Sequence, residues 1–295
     1  MANLKTLKTR IKSVKSTQKM TKAMKMVAAS RLKKAKYLVE SSRPYADKIS
    51  EMISNLASNI AVRGNLSEKF PLLTGKGKKE THLVIVISSD RGLCGGLNSA
   101  TVKFAKHHIN TLASQGREVK IFCIGRKAYE QLKSTYGTQI IDSSFGVFKS
   151  TIDHKVAQEL SEKFVELFNQ NQFDVCEVIY SKFKSAIVQE QVFKQIIPAP
   201  ISFDASKADL ESPISYEPNE EEVLSQLLPK NLAMQIYNEL LENSASEQGA
   251  RMAAMEAASN NAGKMIKNLT LVYNRTRQAN ITKELIDIIS GANVV

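Results

Sequence analysis

Apolar and small residues recur every three or four positions near the end of the chain, from Leu232 to Ser290, with no proline between Pro229 and Gly291. The stripe consists of Met234, Tyr237, Leu241, Ala245, Met252, Met255, Ala258, Ala262, Met265, Leu269 and Val272. This spacing predicts a helix, and roughly 59 residues at 1.5 Å each would extend about 88 Å. Because the stripe is narrow and rich in alanine, we expect it to pack against one other helix rather than into a broad core.

The N-terminal segment carries a matching pattern. Its stripe is Leu4, Leu7, Ile11, Val14, Gln18, Thr21, Met24 and Val27, and helix-compatible sequence continues to about Ile60. The residues Ser41–Pro44 predict a bend or a register change rather than an end of the helix. Two chain ends of similar length predict a long antiparallel two-helix coiled coil, with the rest of the chain inserted at one end.

The middle of the chain has a different period. Strand-like apolar runs at 82–87, 119–124, 139–141, 175–180 and 187–196 alternate with helical patterns at about 102–112, 127–136 and 154–168. Such alternation is typical of a largely parallel sheet covered on both faces. We therefore predict an α/β protein with a coiled-coil helix at 1–62, a connection at 63–80, an inserted Rossmann-like α/β domain at 81–212 and a second coiled-coil helix at 213–295. No conformation is predicted for 142–150.

Composition limits the class of protein. Hydrophobic residues make up 43% of the chain, which suffices for a folded core, and the longest aliphatic run, Leu83–Ile87, is too short to span a membrane. We expect no secretory signal, because the basic start is never followed by an unbroken apolar segment, and no mitochondrial transit peptide, because the apolar period runs through this region without a break and lysine outnumbers arginine. The widely spaced Cys94, Cys123 and Cys176 predict neither a disulfide framework nor a zinc knuckle, and they indicate a reducing compartment.

The net charge of +12 is concentrated at the N-terminus. Twelve basic and no acidic residues precede residue 37, and seven of the lysines directly follow positions of the apolar stripe: Lys5, Lys8, Lys12, Lys15, Lys19, Lys22 and Lys25. On a helix they form a second, basic stripe, whose like-charge pairs would cost the isolated helix on the order of 1 to 3 kcal/mol. We therefore expect the basic stripe to face a negatively charged partner.

A glycine-rich turn at 90–98, Asp-Arg-Gly-Leu-Cys-Gly-Gly-Leu-Asn, follows a strand and precedes a helix. Phosphate-binding loops occupy such positions, yet the turn spells neither G-x-x-x-x-G-K-[ST] nor G-x-G-x-x-G. We interpret it as a tight turn that presents Arg91 and Cys94 to a neighbouring protein. A small nucleotide-binding enzyme domain carried on a coil is the alternative interpretation.

The chain shows no pattern of catalytic or metal-ligating residues. The four histidines, His82, His107, His108 and His154, have no metal spacing, and His107 and His108 are predicted to be solvated on a helix surface. The cluster Glu220–Glu222 is predicted to serve the dipole at the start of the last helix. We expect no cofactor, no metal and no general acid–base machinery.

Three classes of partner could face the basic stripe. A nucleic-acid surface would need aromatic or amide side chains to stack on or read bases, and Tyr37 is the aromatic residue nearest the stripe. A membrane surface would need an apolar face with Trp or Phe, and the coil already uses this face. A protein partner is favoured, with polyanion and membrane binding left open.

Four segments resemble the gamma subunit of F-type ATP synthases. They are 16–31 (STQKMTKAMKMVAASR), the turn at 88–98, and the C-terminal pair 245–258 (ASEQGARMAAMEAA) and 271–284 (LVYNRTRQANITKE). The resemblance covers essentially the whole chain. It implies a central-stalk rotor that transmits rotation of the membrane c-ring to three catalytic beta sites, so that proton flow drives ATP synthesis, and that is itself noncatalytic.

The resemblance also implies partners and contact residues. The partners are the alpha and beta subunits, the epsilon subunit and the c-ring, with no nucleic acid, and with the membrane reached only peripherally through the c-ring. Contacts with beta would involve Lys22, Met24, Arg91, Cys94, Arg251, Arg277, Gln278 and Thr282, and a foot on epsilon and the c-ring would involve Tyr37, Ser41, Tyr45 and Tyr216. The implied location is the cytoplasmic face of the bacterial inner membrane, with the mitochondrial matrix face as the alternative.

Overall fold

A computed structural model describes residues 4–62, 69–148, 152–200, 217 and 219–292. The helices are α1 Leu4–Val62, α2 Pro71–Thr74, α3 Leu97–Ser114, α4 Arg126–Tyr136, α5 His154–Asn169 and α6 Glu220–Ala292. The strands are β1 Thr81–Ile87, β2 Glu118–Ile124, β3 Ile140–Ser144, β4 Val175–Phe183 and β5 Gln189–Ile197. The predicted fold class, a mixed α/β chain with long helices at both ends, is confirmed.

The chain divides into two compact units. The terminal unit joins Met1–Ala29 with Arg251–Val295, and the central unit comprises Ser30–Ala250. Both long helices contribute to both units, because α1 and α6 each continue across the division. The domain boundaries predicted from sequence at 62, 80 and 212 stay predictions.

The sheet of the central unit has five strands in the order β3-β2-β1-β4-β5. Strands β1 to β4 pair in parallel, and β5 pairs with β4 in the antiparallel direction. The prediction of a largely parallel sheet is therefore confirmed, with an antiparallel edge strand added. Strand β1 is buried along almost its whole length, as expected for a strand covered on both faces.

Each face of the sheet has its own apolar core. Helices α3 and α4 cover one face, where Val84 and Val86 of β1 pack with Ala105 and Ile109 of α3. The other face is covered by α5 and by the first half of α6, whose Leu232, Ile236, Leu240 and Leu241 join the core of the sheet. The prediction that the last helix packs only against another helix is wrong for this half.

The start of α6 and the end of α1 also pack together in the central unit. A third core contains Ile53, Leu56 and Ile60 of α1 with Leu224 and Leu228 of α6. Helix α1 continues through Pro44, so this proline does not end it, as predicted.

Helix α6 begins twelve residues before the predicted Leu232 and contains Pro229. Asn219 accepts a hydrogen bond from the backbone N–H of Glu222 (2.8 Å) and thereby caps the helix, with three glutamates in its first turn. The Pro229 carbonyl accepts a hydrogen bond from Ser161 Oγ (3.3 Å), which links this turn of α6 to α5.

The terminal unit is an antiparallel pair of helices. Lys25 of α1 contacts Glu256 of α6, and Gln18, about two turns closer to the N-terminus, contacts Ser259, further along α6. The predicted stripe of α1 faces inward from Leu4 to Met24, but Val27 is exposed and Ala28 is buried in its place. On α6 the predicted Met255 and Ala262 are buried, whereas Met265 and Val272 are exposed.

Candidate interaction surface

One side of the terminal unit is lined by lysines. Lys5, Lys8, Lys12, Lys15, Lys19 and Lys22 are exposed, and Lys25 is half-buried. Lys25 Nζ lies 2.6 Å from Glu256 Oε1. Beside this ion pair a groove of about 540 Å³ runs between the lysines and Asn260 of α6. The basic stripe predicted from sequence therefore exists as one surface, which we call the basic face.

The charge of the terminal unit cannot be balanced from within. Its two segments hold fourteen Lys and Arg residues but only three acidic side chains, a net charge of +11 out of +12 for the whole chain. Such a field attracts acidic surfaces and speeds their association. An acidic protein surface or another polyanion is the chemistry that the basic face fits.

The helix pair beneath the basic face is close-packed. Thr21 and Ala28 of α1 and Met255 and Ala262 of α6 are buried. Gln18 Nε2 donates to the Ser259 carbonyl (3.4 Å), and a Cβ placed on Gly263 would lie 3.0 Å from the same amide nitrogen. Met24 is half-buried in this pair, so its predicted partner contact would use only part of its side chain.

The far end of α6 exposes the remaining residues predicted to contact a partner. Arg277, Gln278 and Thr282 are exposed, and Thr282 Oγ1 donates to the Gln278 carbonyl (3.0 Å). Beyond them the helix exposes large aliphatic side chains: Ile281, Leu285, Ile286, Ile288 and Ile289. Exposed aliphatic residues in this number mark a contact surface. Arg251, at the other end of this segment, is half-buried.

In the central unit, hydrogen bonds of Asp90 and Asn98 fix the turn between β1 and α3. The Asp90 carboxylate accepts from the backbone N–H groups of Arg126 (3.2 Å) and Gly146 (3.0 Å). Asn98 Oδ1 accepts from the Ser89 N–H (3.1 Å), and Asn98 Nδ2 donates to Cys94 Sγ (3.2 Å). These bonds fix the turn on the ends of the strands.

The turn presents Arg91, as predicted, but it does not present Cys94. Arg91 is exposed, whereas Cys94 is 1% exposed and its sulfur accepts the hydrogen bond from Asn98. The exposed apolar side chain of the turn is Leu93, which is 59% exposed at a φ of 66°. Sequence reasoning missed Leu93, because only the folded turn shows which side chain points outward.

Ligands of open α/β sheets bind in a crevice at the carboxyl ends of the strands, where neighbouring connections leave in opposite directions. Here the crevice lies between β1 and β4, and polar side chains of α6 reach Ser181 at the end of β4. The Ser181 N–H donates to Asn243 Oδ1 (3.3 Å), Ser246 Oγ donates to the Ser181 carbonyl (2.7 Å), and Thr101 Oγ1 lies 3.0 Å from Ser181 Oγ. Two side chains of the last helix are thus hydrogen-bonded to the backbone at the end of β4, beside this crevice.

The residues predicted for a foot lie on α1 within the central unit. Tyr37, Ser41 and Tyr45 are exposed, with Tyr37 at 68%. Ser41 Oγ donates to the Leu38 carbonyl (3.1 Å). Their spacing of four residues places them on one side of the helix. Tyr216 lies outside the described residues.

Two histidines converge on one carboxylate, contrary to the prediction that His108 is solvated. His108 Nε2 lies 2.7 Å from Glu177 Oε2, and His82 Nδ1 lies 3.7 Å from the same oxygen. The His108 ring also stacks on Phe193 at 4.5 Å. Burial alone would raise the pKa of Glu177, but the hydrogen bond with His108 and the nearby charges of His108 and His82 lower this pKa to about 2. Among the residues that the structure describes, no group of three such side chains is arranged to hold a metal ion.

We predict that Glu177→Gln lowers the free energy of unfolding at pH 7 by about 1 to 2 kcal/mol, because a charged acceptor becomes a neutral one. The difference from the wild type should shrink as the pH falls from 4.5 toward 2, since the stability contributed by a carboxyl whose pKa is lowered from 4.5 to about 2 is complete above pH 4.5 and is lost as the pH falls through 2. Urea unfolding followed by circular dichroism measures both effects. Glu190→Gln, which alters an exposed carboxylate paired with Lys184, is the control and should leave the midpoint unchanged. An equal effect in both variants would contradict the prediction.

No helix within the described ranges has the length and apolarity needed to cross a bilayer. A family model described as ATP synthase matches residues 3–295. The chain is 48% identical to the ATP synthase gamma chain of Rhodopseudomonas palustris over 295 residues, which is all of both chains. It is also 48% identical to the ATP synthase gamma chain of Pelagibacter ubique over 292 residues, 99% of each.

Solved structures of ATP synthases contain chains with a similar fold. A chain from the central stalk and c-ring of the Tetrahymena thermophila mitochondrial ATP synthase matches with a TM-score of 0.60 and 28% identity, over 81% of this chain and 99% of that one. A chain from the Euglena gracilis mitochondrial ATP synthase matches with a TM-score of 0.69 over 99% of this chain and 94% of that one. At 16% identity the second match shows the fold alone.

Proposed function

Since this chain belongs to the family of ATP synthase gamma chains, we propose that it is the central-stalk rotor of an F-type ATP synthase. In this role it transmits rotation of the membrane c-ring to three catalytic beta sites, so that proton flow drives ATP synthesis. The observation that carries the proposal is the basic face. It belongs to a terminal unit in which fourteen Lys and Arg residues outnumber three acidic side chains. A surface of this charge acts by contacting acidic neighbours.

The asymmetry of the helix pair in the terminal unit suits a rotor. The two helices of the terminal unit have different sequences, with basic residues concentrated on α1 and exposed aliphatic residues at the end of α6. Three identical catalytic subunits placed around such a pair would each meet a different surface. Different surfaces stabilise different conformations of the three sites, which is what a rotor must achieve.

The exposure of each side chain indicates how it would take part in the proposed contacts. Lys22, Arg91, Arg277, Gln278 and Thr282 are exposed and would contact beta directly. Met24 and Arg251 are half-buried and would contribute part of their side chains, and Cys94 would act by holding the turn that presents Arg91 and Leu93. Tyr37, Ser41 and Tyr45, with Tyr216, would form the foot on epsilon and the c-ring.

Torque requires that α6 cannot slip on the sheet. The Ser181 backbone bonds to Asn243 and Ser246, together with Leu232, Ile236 and the other α6 residues in the sheet core, fix the helix to β4. The same contacts support the proposal that the subunit is noncatalytic, because side chains of α6 are bonded to β4 beside the crevice where ligands of open α/β sheets bind.

The proposed location is the cytoplasmic face of the bacterial inner membrane, reached through the c-ring. The matches at 48% identity are to bacterial gamma chains, and the mitochondrial central-stalk chain is 28% identical. The mitochondrial matrix face is the alternative.

Co-purification tests the proposal directly. A tagged chain expressed with the alpha and beta subunits of its own organism should purify at one copy per three of each, and the complex should hydrolyse ATP. The chain alone should show no ATPase activity. Turnover by the isolated chain, or failure to recover alpha and beta, would argue against the proposal.

The basic face also favours a second candidate function, the binding of polyanions such as nucleic acid. This function predicts tight binding of duplex DNA with a steep salt dependence, whereas a rotor shaft predicts weak association that disappears near physiological salt. Fluorescence anisotropy with a labelled duplex at 50 and 200 mM salt distinguishes the two.

A further inference from the structure

Glu239 of α6 is a carboxylic acid inside the sheet core. Its side chain is 2% exposed, and neither carboxyl oxygen accepts a well-aligned hydrogen bond within the described structure. The nearest cation is Lys194 of β5, whose Nζ lies 3.3 Å from Glu239 Oε1. Lys194 pairs in the β4–β5 ladder with Val178, a residue of the same core. The carboxyl therefore lies where α6 packs on the edge of the sheet.

The other ionisable groups around Glu239 do little to stabilise its ionised carboxylate. Strand β4 contributes Tyr180 and Cys176, whose pKa values are both raised by burial and by the Glu239 charge, so both side chains are neutral at neutral pH. Helix α6 contributes Glu242 one turn further on, in a groove that also holds Lys36 and Arg43 of α1. From α5, His154 packs its ring 5.5 Å from Tyr237, two residues before Glu239.

Lys194 offsets the cost of burying the carboxylate only in part. Its side chain is 41% exposed, so water screens the pair from one side. Burial raises the pKa of Glu239 and Lys194 lowers it, with a net rise to about 7. A charge buried with one half-exposed partner and without hydrogen bonds is costly, and protonation removes this cost.

We propose that Glu239 is a proton-binding site at the joint between α6 and the sheet, and that release of its proton loosens this joint. The packing of the last helix on β4 and β5 is then tightest in the acid form. The site needs no other subunit, so the proposal goes beyond the rotor function and does not depend on it.

The sign of the effect follows from linkage. A carboxyl whose pKa is raised from 4.5 to about 7 on folding contributes stability that is complete below pH 4.5 and is lost as the pH rises through 7. Between pH 6 and pH 8.5 the unfolding equilibrium constant should rise about tenfold on account of this group alone.

Urea unfolding of the full-length chain at pH 6 and pH 8.5 tests the proposal. Glu239→Gln should remove the tenfold change, and Lys194→Met should move the loss of stability to higher pH, because the cation that favours ionisation is gone. Glu242→Gln is the matched control. It removes a carboxylate one turn away but keeps an acceptor for the Phe183 N–H, so its pH dependence should equal that of the wild type. A wild-type-like slope in Glu239→Gln would overturn the proposal.

A direct titration keeps the test independent of folding defects in the variants. With the glutamate carboxyl carbons labelled with ¹³C, the wild-type chain should show one resonance that titrates near pH 7 and that is missing from Glu239→Gln. A Glu239 resonance that titrates near pH 4.5 would overturn the proposal. Neither experiment measures ATP synthesis, so failure here would leave the rotor function untouched, and failure of co-purification would leave Glu239 untouched.

Discussion

An enzyme whose gamma chain carries Lys22→Glu together with Arg91→Glu is expected to assemble normally but to couple ATP hydrolysis poorly to proton pumping. Both side chains are exposed, and both are proposed to contact acidic surfaces of beta. Reversal replaces attraction by like-charge contact, which costs several kcal/mol at a protein interface. Since about 1.4 kcal/mol corresponds to a factor of ten, we expect roughly a tenfold or larger loss of coupled pumping. Quenching of an acridine dye in inverted membrane vesicles measures it.

Folding should survive this double change. Lys22 lies three residues from both Lys19 and Lys25, so a glutamate at this position replaces two like-charge pairs on the helix by two attractive ones. Arg91 lies on a turn whose fixed points are Asp90 and Asn98, and neither bond uses the arginine side chain.

The matched control for this variant is Lys78→Glu with Lys103→Glu, which makes the same change of charge at two exposed lysines outside the proposed beta contacts and the proposed foot. It should pump like the wild type. Normal pumping in the Lys22 and Arg91 variant, with the complex fully assembled, would contradict the proposed contacts.

Periodicity predicted the pairing of the chain ends because each end carries a long apolar stripe, and only the other end is long enough to cover it. Leu7 and Thr21 on one helix and Met255 and Ala262 on the other are buried as the pattern requires. The stripe drifts at Val27, where the smaller Ala28 is buried instead. Hydrophobicity alone favours valine over alanine, and only the close approach of two helices reverses this order.

The role of the first half of α6 could not be predicted from the same pattern. From Asn231 to Gly249 the helix is buried on nearly every side, with polar residues such as Asn243 and Ser246 among the buried ones. A periodic stripe identifies a helix with one covered face. A helix buried between a sheet and another helix carries polar residues whose partners, such as the Ser181 backbone, are distant in sequence.

The side chains of the candidate surfaces also fall into two groups, one predictable from sequence spacing and one formed only by the fold. The basic face is encoded by residues close together in sequence, so sequence spacing alone predicted it. The group of His82, His108 and Glu177, and the burial of Cys94, depend on which strands and helices become neighbours. No spacing in the sequence reports that arrangement.

Gly125→Ala is expected to prevent normal folding of the central unit. Gly125 has a φ of 94° and a ψ of 141°, a region essentially confined to glycine that costs another residue about 1 to 3 kcal/mol. A Cβ at this position would also lie 2.1 Å from the Ser88 carbonyl oxygen, a backbone atom at the end of β1 that cannot rotate away. Together with the overpacking cost, we expect a loss of roughly 3 kcal/mol or more, a large part of the stability of a typical domain.

The effect should reach the turn that carries Arg91. The Gly125 N–H donates to the Ser144 carbonyl (2.9 Å), the Ser88 N–H donates to the Ile124 carbonyl (2.8 Å), and Ser88 Oγ accepts from the Ala128 N–H (2.8 Å). Room for a methyl group can be made only by separating the ends of β1 and β2, on which the turn rests. Thermal unfolding and the yield of soluble chain measure the loss.

Gly116→Ala separates the backbone cost from the steric one. Gly116 has a similar φ of 76°, yet its added Cβ would meet nothing within 4 Å. This variant should therefore lose only the 1 to 2 kcal/mol that the left-handed conformation costs an alanine, and it should fold. If the two variants were equally stable, the close contact between Gly125 and Ser88 would not be what requires a glycine at the junction of β1 and β2.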